Sequence, residues 1–124
     1  TRNNQMKKKY LIVASDYYKK ITQNLINGSL KKLQINKKNA SIITVPGTYE
    51  IPVIISKNIK KFDGFIALGC VIKGETPHFD FICSSVFNSI LDLSISYNKP
   101  IGNGIITALN ISQAKNRSIK KSNI

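Results

Sequence analysis

His78 is the only histidine in this chain, and it lies in the run GETPHFD at 74–80, shortly after an apolar segment. Histidine changes its charge near physiological pH, so it can both accept and donate a proton. A glycine-containing turn at the end of a strand exposes backbone N–H groups that can bind an anion. The run therefore combines a proton carrier with an anion-binding turn.

The residues around this run alternate between two kinds of pattern. Short apolar segments predict the strands Tyr10–Ala14, Ser41–Val45, Phe65–Ile72 and Ile101–Thr107. Apolar residues at helical spacing predict helices from Lys19 to about Leu33, from Ile51 to Lys60 and from Phe79 to about Tyr97. Ser112 is the predicted N-cap of a last helix. This alternation predicts an α/β domain, a four-stranded parallel sheet flanked by helices on both faces.

In such a sheet, ligands bind at the edge formed by the carboxyl ends of the strands, here called the carboxyl edge. The loops 15–18, 46–50, 73–78 and 108–111 follow the predicted strands and should meet at that edge. They carry the polar or aromatic side chains Asp16, Tyr17, Tyr49, Glu50, Glu75, Thr76 and His78. Three of the six acidic residues are among them, which indicates a site in a chain so poor in acid.

The net charge of +13 raises the question of a nucleic-acid partner. Most lysines occur as scattered pairs where helices end or loops begin, and 7–9 is the only longer run. No zinc-finger or RNA-recognition pattern accompanies them. A compositional bias toward Lys, Ile and Asn explains the charge, so we do not expect a nucleic-acid partner.

Length and composition favour a single folded domain of 124 residues, of which 42% are hydrophobic. No apolar stretch is expected to cross a bilayer, and residues 1–9 lack the apolar middle section of a secretory signal. We therefore expect a cytoplasmic protein without a membrane partner. Cys70 and Cys83 have neither Cys-x-x-Cys spacing nor a histidine cluster, which predicts reduced thiols and no metal site.

Three segments resemble the 6,7-dimethyl-8-ribityllumazine synthase family in order and spacing: VPGTYEIP at 45–52, ALGCVIKGETPHFD at 67–80 and GNGIIT at 102–107. The resemblance implies a transferase of riboflavin biosynthesis. Such an enzyme condenses 5-amino-6-(D-ribitylamino)uracil with 3,4-dihydroxy-2-butanone 4-phosphate and releases phosphate. It also implies a three-layer, flavodoxin-like domain, no cofactor, and at least a homopentamer, with active sites between subunits.

The resemblance further implies one domain over residues 1–124, in which 1–9 form a basic N-terminal extension. Relatives continue into a C-terminal helix that is expected to be absent here. Residues 84 and 85 are both serine where an Asn-Glu pair is common in the family.

Matching positions imply roles for the residues that would hold the pyrimidine substrate. Tyr17 corresponds to the aromatic residue that stacks on the pyrimidine ring. Thr48, Tyr49 and Glu50 correspond to the loop that holds the ribityl chain, where the Glu50 carboxylate accepts hydrogen bonds. The strand end that lines the pyrimidine site through backbone groups corresponds to Cys70, Val71 and Ile72.

A second set of positions corresponds to the phosphate side of the family's site. Glu75 and Thr76 match the turn that binds the phosphate, Glu75 through its N–H because its carboxylate would repel the anion. Arg117 matches the phosphate-binding arginine, whose planar group of donors suits that role. His78 takes the proton-transfer role. Asn103 stands where many relatives carry a phenylalanine near the substrates.

Each of these residues also has a structural interpretation. His78 and Glu50 could be helix N-terminal residues, Tyr17 and Tyr49 ordinary half-buried aromatics, and Arg117 a surface residue. Cys70 could be a core residue. The alternative function is a non-catalytic relative that binds a lumazine or flavin.

Overall fold

A computed structural model of the chain describes residues 8–32, 39–75 and 77–119. The four predicted strands are confirmed, each extended by one residue at one end. They are β1 (Tyr10–Ser15), β2 (Ala40–Val45), β3 (Gly64–Ile72) and β4 (Ile101–Ala108). The predicted end of the first helix at Leu33, most of the loop after it and residues 1–7 of the basic extension lie outside the described residues.

The α-helices of the described residues are α1 (Lys19–Lys32), α2 (Ile51–Asn58), α3 (Phe79–Tyr97) and α4 (Ile111–Ile119). The sequence predicts both ends of α3 correctly. Its C-cap Asn98 adopts the left-handed conformation at φ 52°, which asparagine tolerates better than most residues.

The prediction that Ser112 caps the last helix is wrong. The side-chain oxygen of Asn110 accepts a hydrogen bond of 2.8 Å from the N–H of Gln113. The Gln113 side chain reaches back to the N–H of Leu109, also at 2.8 Å. The two bonds resemble a capping box, except that Gln113 bonds the residue before the N-cap Asn110, and Ser112 lies inside the helix.

The strands pair in parallel in the order β2-β1-β3-β4. All nine residues of β3 are buried, as expected for a strand covered on both faces. Alternate residues of β1 enter two different cores: Leu11 packs with α2 and α3, whereas Ile12 packs with α1 and α4. Burial of each such side chain stabilises the fold by about 1.5–3 kcal/mol. The architecture is therefore the predicted three-layer α/β fold, in which helices cover both faces of the sheet.

Among the described residues, α3 is the one helix whose length and composition alone would allow it to cross a bilayer. The sequence-based expectation that no apolar stretch is that long is wrong on this measure. One such helix is weak evidence for a membrane span, because core helices pass the same test. Here Val86 and Ile90 pack α3 against the sheet.

Candidate active site

A cavity of about 300 Å³ opens at the carboxyl edge of the sheet. Its lining includes seven predicted site residues: Tyr17, Thr48, Tyr49, Cys70, Val71, Ile72 and Glu75. Four other residues, which carry no predicted role, complete the lining: Ser15, Tyr18, Gly47 and Ile82. Three of the four loops predicted to meet at this edge, those after β1, β2 and β3, contribute to the lining.

One wall of the cavity carries two adjacent tyrosines. Tyr17 is 73% exposed, and its ring meets that of Tyr18 edge to face, with centroids 4.8 Å apart and planes at 85°. On another side, Tyr49 stacks at 6.3 Å on Phe81 of α3. The cavity thus offers flat apolar surfaces suited to a planar ligand ring.

The base of the cavity depends on Gly69 in β3. A Cβ atom at this position would lie 3.2 Å from the Ser15 Cβ and 3.2 Å from the Thr48 Oγ1. Glycine therefore allows Ser15 and Thr48, both buried and both lining the cavity, to approach the central strand. Thr22 Oγ1 donates a hydrogen bond to the Ser15 carbonyl, which anchors this part of β1 to α1.

Glu50 lies beside the cavity rather than in its lining. Its N–H donates to the carbonyl of Gly47 at 3.1 Å. Its Oε1 lies 3.5 Å from the point that a Cβ of Gly47 would occupy, and Gly47 itself lines the cavity. Glu50 is also the N-cap residue of α2, but its side chain makes no capping hydrogen bond. An exposed carboxylate therefore stands next to the cavity wall.

His78 is the N-cap residue of α3 and is exposed, and it is not among the lining residues. Its carbonyl accepts a hydrogen bond of 2.9 Å from the N–H of Ile82, which does line the cavity. Glu75, three positions earlier in the chain, lines it too. His78 therefore lies beside the cavity, between Glu75 and Ile82 in the chain and joined to Ile82 by a backbone hydrogen bond.

Arg117 reaches the same edge of the sheet from α4. Its Nη1 donates a hydrogen bond to the carbonyl of Thr107 in β4. Thr107 pairs with Val71, a lining residue of the neighbouring strand. Arg117 itself does not line the cavity.

Asn103 lies in the middle of β4 and, like Glu50, His78 and Arg117, is not among the lining residues. It pairs with Ala67, five positions before the carboxyl end of β4. Its side-chain oxygen accepts a hydrogen bond of 3.0 Å from the N–H of Ile105, and the residue is exposed. Thr76, another predicted site residue, lies outside the described residues.

Burial controls the ionisation of two groups that line the cavity. It raises the pKa of the Cys70 thiol to about 11, so this thiol is neutral at physiological pH. Burial, and after it the Glu75 carboxylate, raises the pKa of Tyr18. Within the described part of the chain, no three His, Cys, Asp or Glu side chains are placed to hold a metal ion. The described lining thus combines aromatic and apolar surface with neutral hydrogen-bonding groups and the Glu75 carboxylate.

Comparisons with known proteins agree on one family. The family model described as 6,7-dimethyl-8-ribityllumazine synthase matches residues 7–124. A protein of that name from Buchnera aphidicola subsp. Baizongia pistaciae is 46% identical over 125 residues, which cover 95% of this chain and 78% of the relative. Namesakes from Bartonella tribocorum and Leuconostoc mesenteroides are each 40% identical, over 92% and 95% of this chain and 79% of each relative.

Proposed function

This chain belongs to the 6,7-dimethyl-8-ribityllumazine synthase family, and we propose that the cavity at the carboxyl edge is where it carries out the family's reaction. The reaction condenses 5-amino-6-(D-ribitylamino)uracil with 3,4-dihydroxy-2-butanone 4-phosphate in riboflavin biosynthesis. One observation carries this assignment of the site: seven residues at family-matched positions line a single cavity. We propose that residues 1–124 form one domain and that this domain has the activity.

The pyrimidine substrate is held first by stacking. The Tyr17 ring is largely exposed at the cavity wall, so one of its faces is available to a planar ring. Cys70, Val71 and Ile72 line the cavity at the end of β3, and their backbone groups bond the edge of that ring. A neutral Cys70 thiol suits this place because it adds no charge beside an uncharged heterocycle.

The ribityl chain is held at the loop after β2. The Glu50 carboxylate beside Gly47 accepts hydrogen bonds from ribityl hydroxyl groups. Thr48 and Tyr49 line the cavity next to it and supply the surface along which the chain lies. A polyol chain supplies hydrogen-bond donors to this carboxylate, which an apolar substituent does not.

The phosphate of the four-carbon substrate is bound where β3 and β4 end. We assign phosphate binding to the backbone N–H groups of Glu75 and Thr76, because a glycine-containing turn after a strand can bind an anion. The guanidinium of Arg117, held at the carboxyl end of β4, supplies the positive charge. The Glu75 carboxylate must face away from the phosphate, because two anions would repel each other.

His78 moves the protons. The substrate amine adds to the ketone and loses water to give an imine, phosphate is then eliminated, and ring closure releases a second water. Each step requires a proton to be transferred, and a histidine can act in turn as base and acid. Holding the two substrates in one cavity supplies much of the remaining acceleration.

The functional unit is a homopentamer in the cytoplasm, and its active sites lie between adjacent chains. Several large apolar side chains of α3 are exposed in the single chain: Phe81 at 63%, Leu91 at 57%, Ile95 at 71% and Tyr97 at 45%. A surface of this kind favours association. Asn103, which does not reach the cavity of its own chain, then contributes to the site of a neighbour. Size-exclusion chromatography with light scattering should give five times the chain mass or a multiple of that value, and a stable monomer at micromolar concentration would contradict it.

The direct test of the function is to mix the purified protein with both substrates and measure phosphate release together with lumazine formation by chromatography. Both products should appear in equal amounts, and omission of either substrate should abolish both. A protein that binds a ribityllumazine analogue but forms no product would instead be a non-catalytic binder.

A further inference from the structure

Tyr18 is a cavity-lining residue to which the proposed mechanism gives no role. Its ring lies edge to face against the ring of Tyr17, at a centroid distance of 4.8 Å. The two tyrosines differ in their surroundings: Tyr17 is 73% exposed, whereas Tyr18 is partly buried and packs against the core shared by α1 and α4. The Tyr18 ring, packed against the core, therefore supports the exposed Tyr17 ring.

The backbone on both sides of the pair is also fixed. The Tyr18 carbonyl accepts a hydrogen bond of 2.9 Å from the N–H of Thr22 at the start of α1. The N–H of Asp16 donates to the carbonyl of Val45 at 2.9 Å, which joins the loop to the end of β2. Tyr18 thus has little freedom to move away from its neighbour.

Tyr18 is the less exposed of the two tyrosines, and its phenol lies near other cavity-lining residues. Burial, followed by the charge of Glu75 and then Cys70, raises the pKa of Tyr18, so its hydroxyl group stays neutral at physiological pH. Glu75 and Cys70 both line the cavity. Tyr18 therefore lies on the inner part of the wall on which the exposed Tyr17 ring stands.

We propose that Tyr18 is a positioning residue that holds the Tyr17 ring in the orientation that stacks on the pyrimidine substrate. This inference rests on the proposed function. An exposed tyrosine samples several rotamers, and ordering it when the ligand binds lowers affinity. Edge-to-face contact with a fixed ring limits this sampling before the ligand arrives. Tyr18 therefore sets the affinity for the heteroaromatic substrate and leaves that for the four-carbon phosphate unchanged.

The test compares Tyr18→Met, which fills similar space without a flat ring, with Tyr18→Phe, which keeps the ring and loses only the hydroxyl. In the full-length enzyme, Tyr18→Met should raise the KM for 5-amino-6-(D-ribitylamino)uracil about two- to ten-fold, the range expected of one aromatic pair. The KM for the phosphate substrate and kcat should stay at wild-type values. Tyr18→Phe should restore the wild-type KM, and in a Tyr17→Ala background Tyr18→Met should have no further effect.

Several results would overturn the proposal. They are an unchanged KM in Tyr18→Met, an equal rise in both KM values, a Tyr18→Phe variant as impaired as Tyr18→Met, and additive effects in the double variant. Thermal unfolding followed by circular dichroism checks the fold, and Tyr18→Leu replaces Tyr18→Met if the latter does not fold. If neither folds, Tyr18 serves stability alone and the proposal is wrong. A wild-type protein without condensation activity would contradict the proposed function itself, before any variant is compared.

Discussion

The guanidinium of Arg117 donates a hydrogen bond to the backbone carbonyl of Thr107, and so joins α4 to the carboxyl end of β4. This contact holds a positive charge near the turn that we assign to the phosphate. Arg117→Lys keeps the charge but loses the planar set of donors. The KM for 3,4-dihydroxy-2-butanone 4-phosphate should rise about ten- to a hundred-fold, as expected for the loss of a charged hydrogen bond. Lys115→Ala, an exposed residue on the same helix, is the control. Equal KM values in wild type and Arg117→Lys would remove Arg117 from phosphate binding.

His78→Ala should lower kcat by about 10²–10⁴-fold, the usual contribution of one general acid–base group. Thermal unfolding followed by circular dichroism should show that the variant still folds at the assay temperature. Steady-state kinetics with both substrates saturating measures the effect. Asn88→Ala, at an exposed position of the same helix, is the matched control. Wild-type kcat in His78→Ala would show that another group carries the protons.

Gly69→Ala should destabilise the fold by about 1–3 kcal/mol, the usual cost of an overpacked core. The new methyl group would lie 3.2 Å from the Ser15 Cβ and from the Thr48 Oγ1, so these two cavity-lining residues must shift. We therefore also expect a higher KM for the pyrimidine substrate. The control is Gly102→Ala in β4, where the added Cβ would have its nearest atom, the Phe65 carbonyl oxygen, at 3.9 Å. Urea unfolding of the two variants should differ clearly, and equal stabilities would contradict this account of the cavity base.

The fold was predictable because local signals and burial agree along most of the chain. Pro77 and Asn98-Lys99-Pro100 bracket α3, and both of its ends were predicted correctly. The cap of α4 was not, because Asn110 and Ser112 are both good capping residues. Only the reciprocal bond with Gln113 decides between them.

The site was predictable to the extent that it depends on the carboxyl edge of the sheet. Residues that directly follow a strand, such as Tyr17 and Thr48, reach the cavity. Tyr18 was missed because its partial burial and its contact with Tyr17 depend on how α1 packs against the sheet. Asn103 is set by strand register, which places it far from the loops of its own chain.

Ionisation of Cys70 should lower the stability of the protein as the pH rises through the alkaline range. The ordinary thiol pKa is 9.0, and burial raises the pKa of Cys70 to about 11. Between these values the unfolded chain binds fewer protons than the folded chain, so the free energy of unfolding falls as pH rises. This contribution is fully present below pH 9 and is lost as the pH passes about 11.

Urea unfolding at pH 8 and pH 10.5 should therefore show a smaller decrease for Cys70→Ala than for wild type. Cys83→Ala is the comparison: burial, and after it Asp80, raises the pKa of this half-buried thiol, but by less. Its effect on the pH dependence should be smaller. An identical decrease in wild type and Cys70→Ala would contradict the assigned burial of this thiol.

The position of Asn103 in β4 predicts how two defective copies of the gene behave together. It lies five residues before the carboxyl end of β4, roughly 16 Å from the cavity edge at about 3.3 Å per residue. In the proposed pentamer, each reaction centre is thus shared by two chains. We expect a His78→Ala chain and a chain disabled at Asn103 each to lose activity alone, whereas a mixed ring of the two would contain some centres with both residues intact. Two defective alleles should then complement each other in one cell.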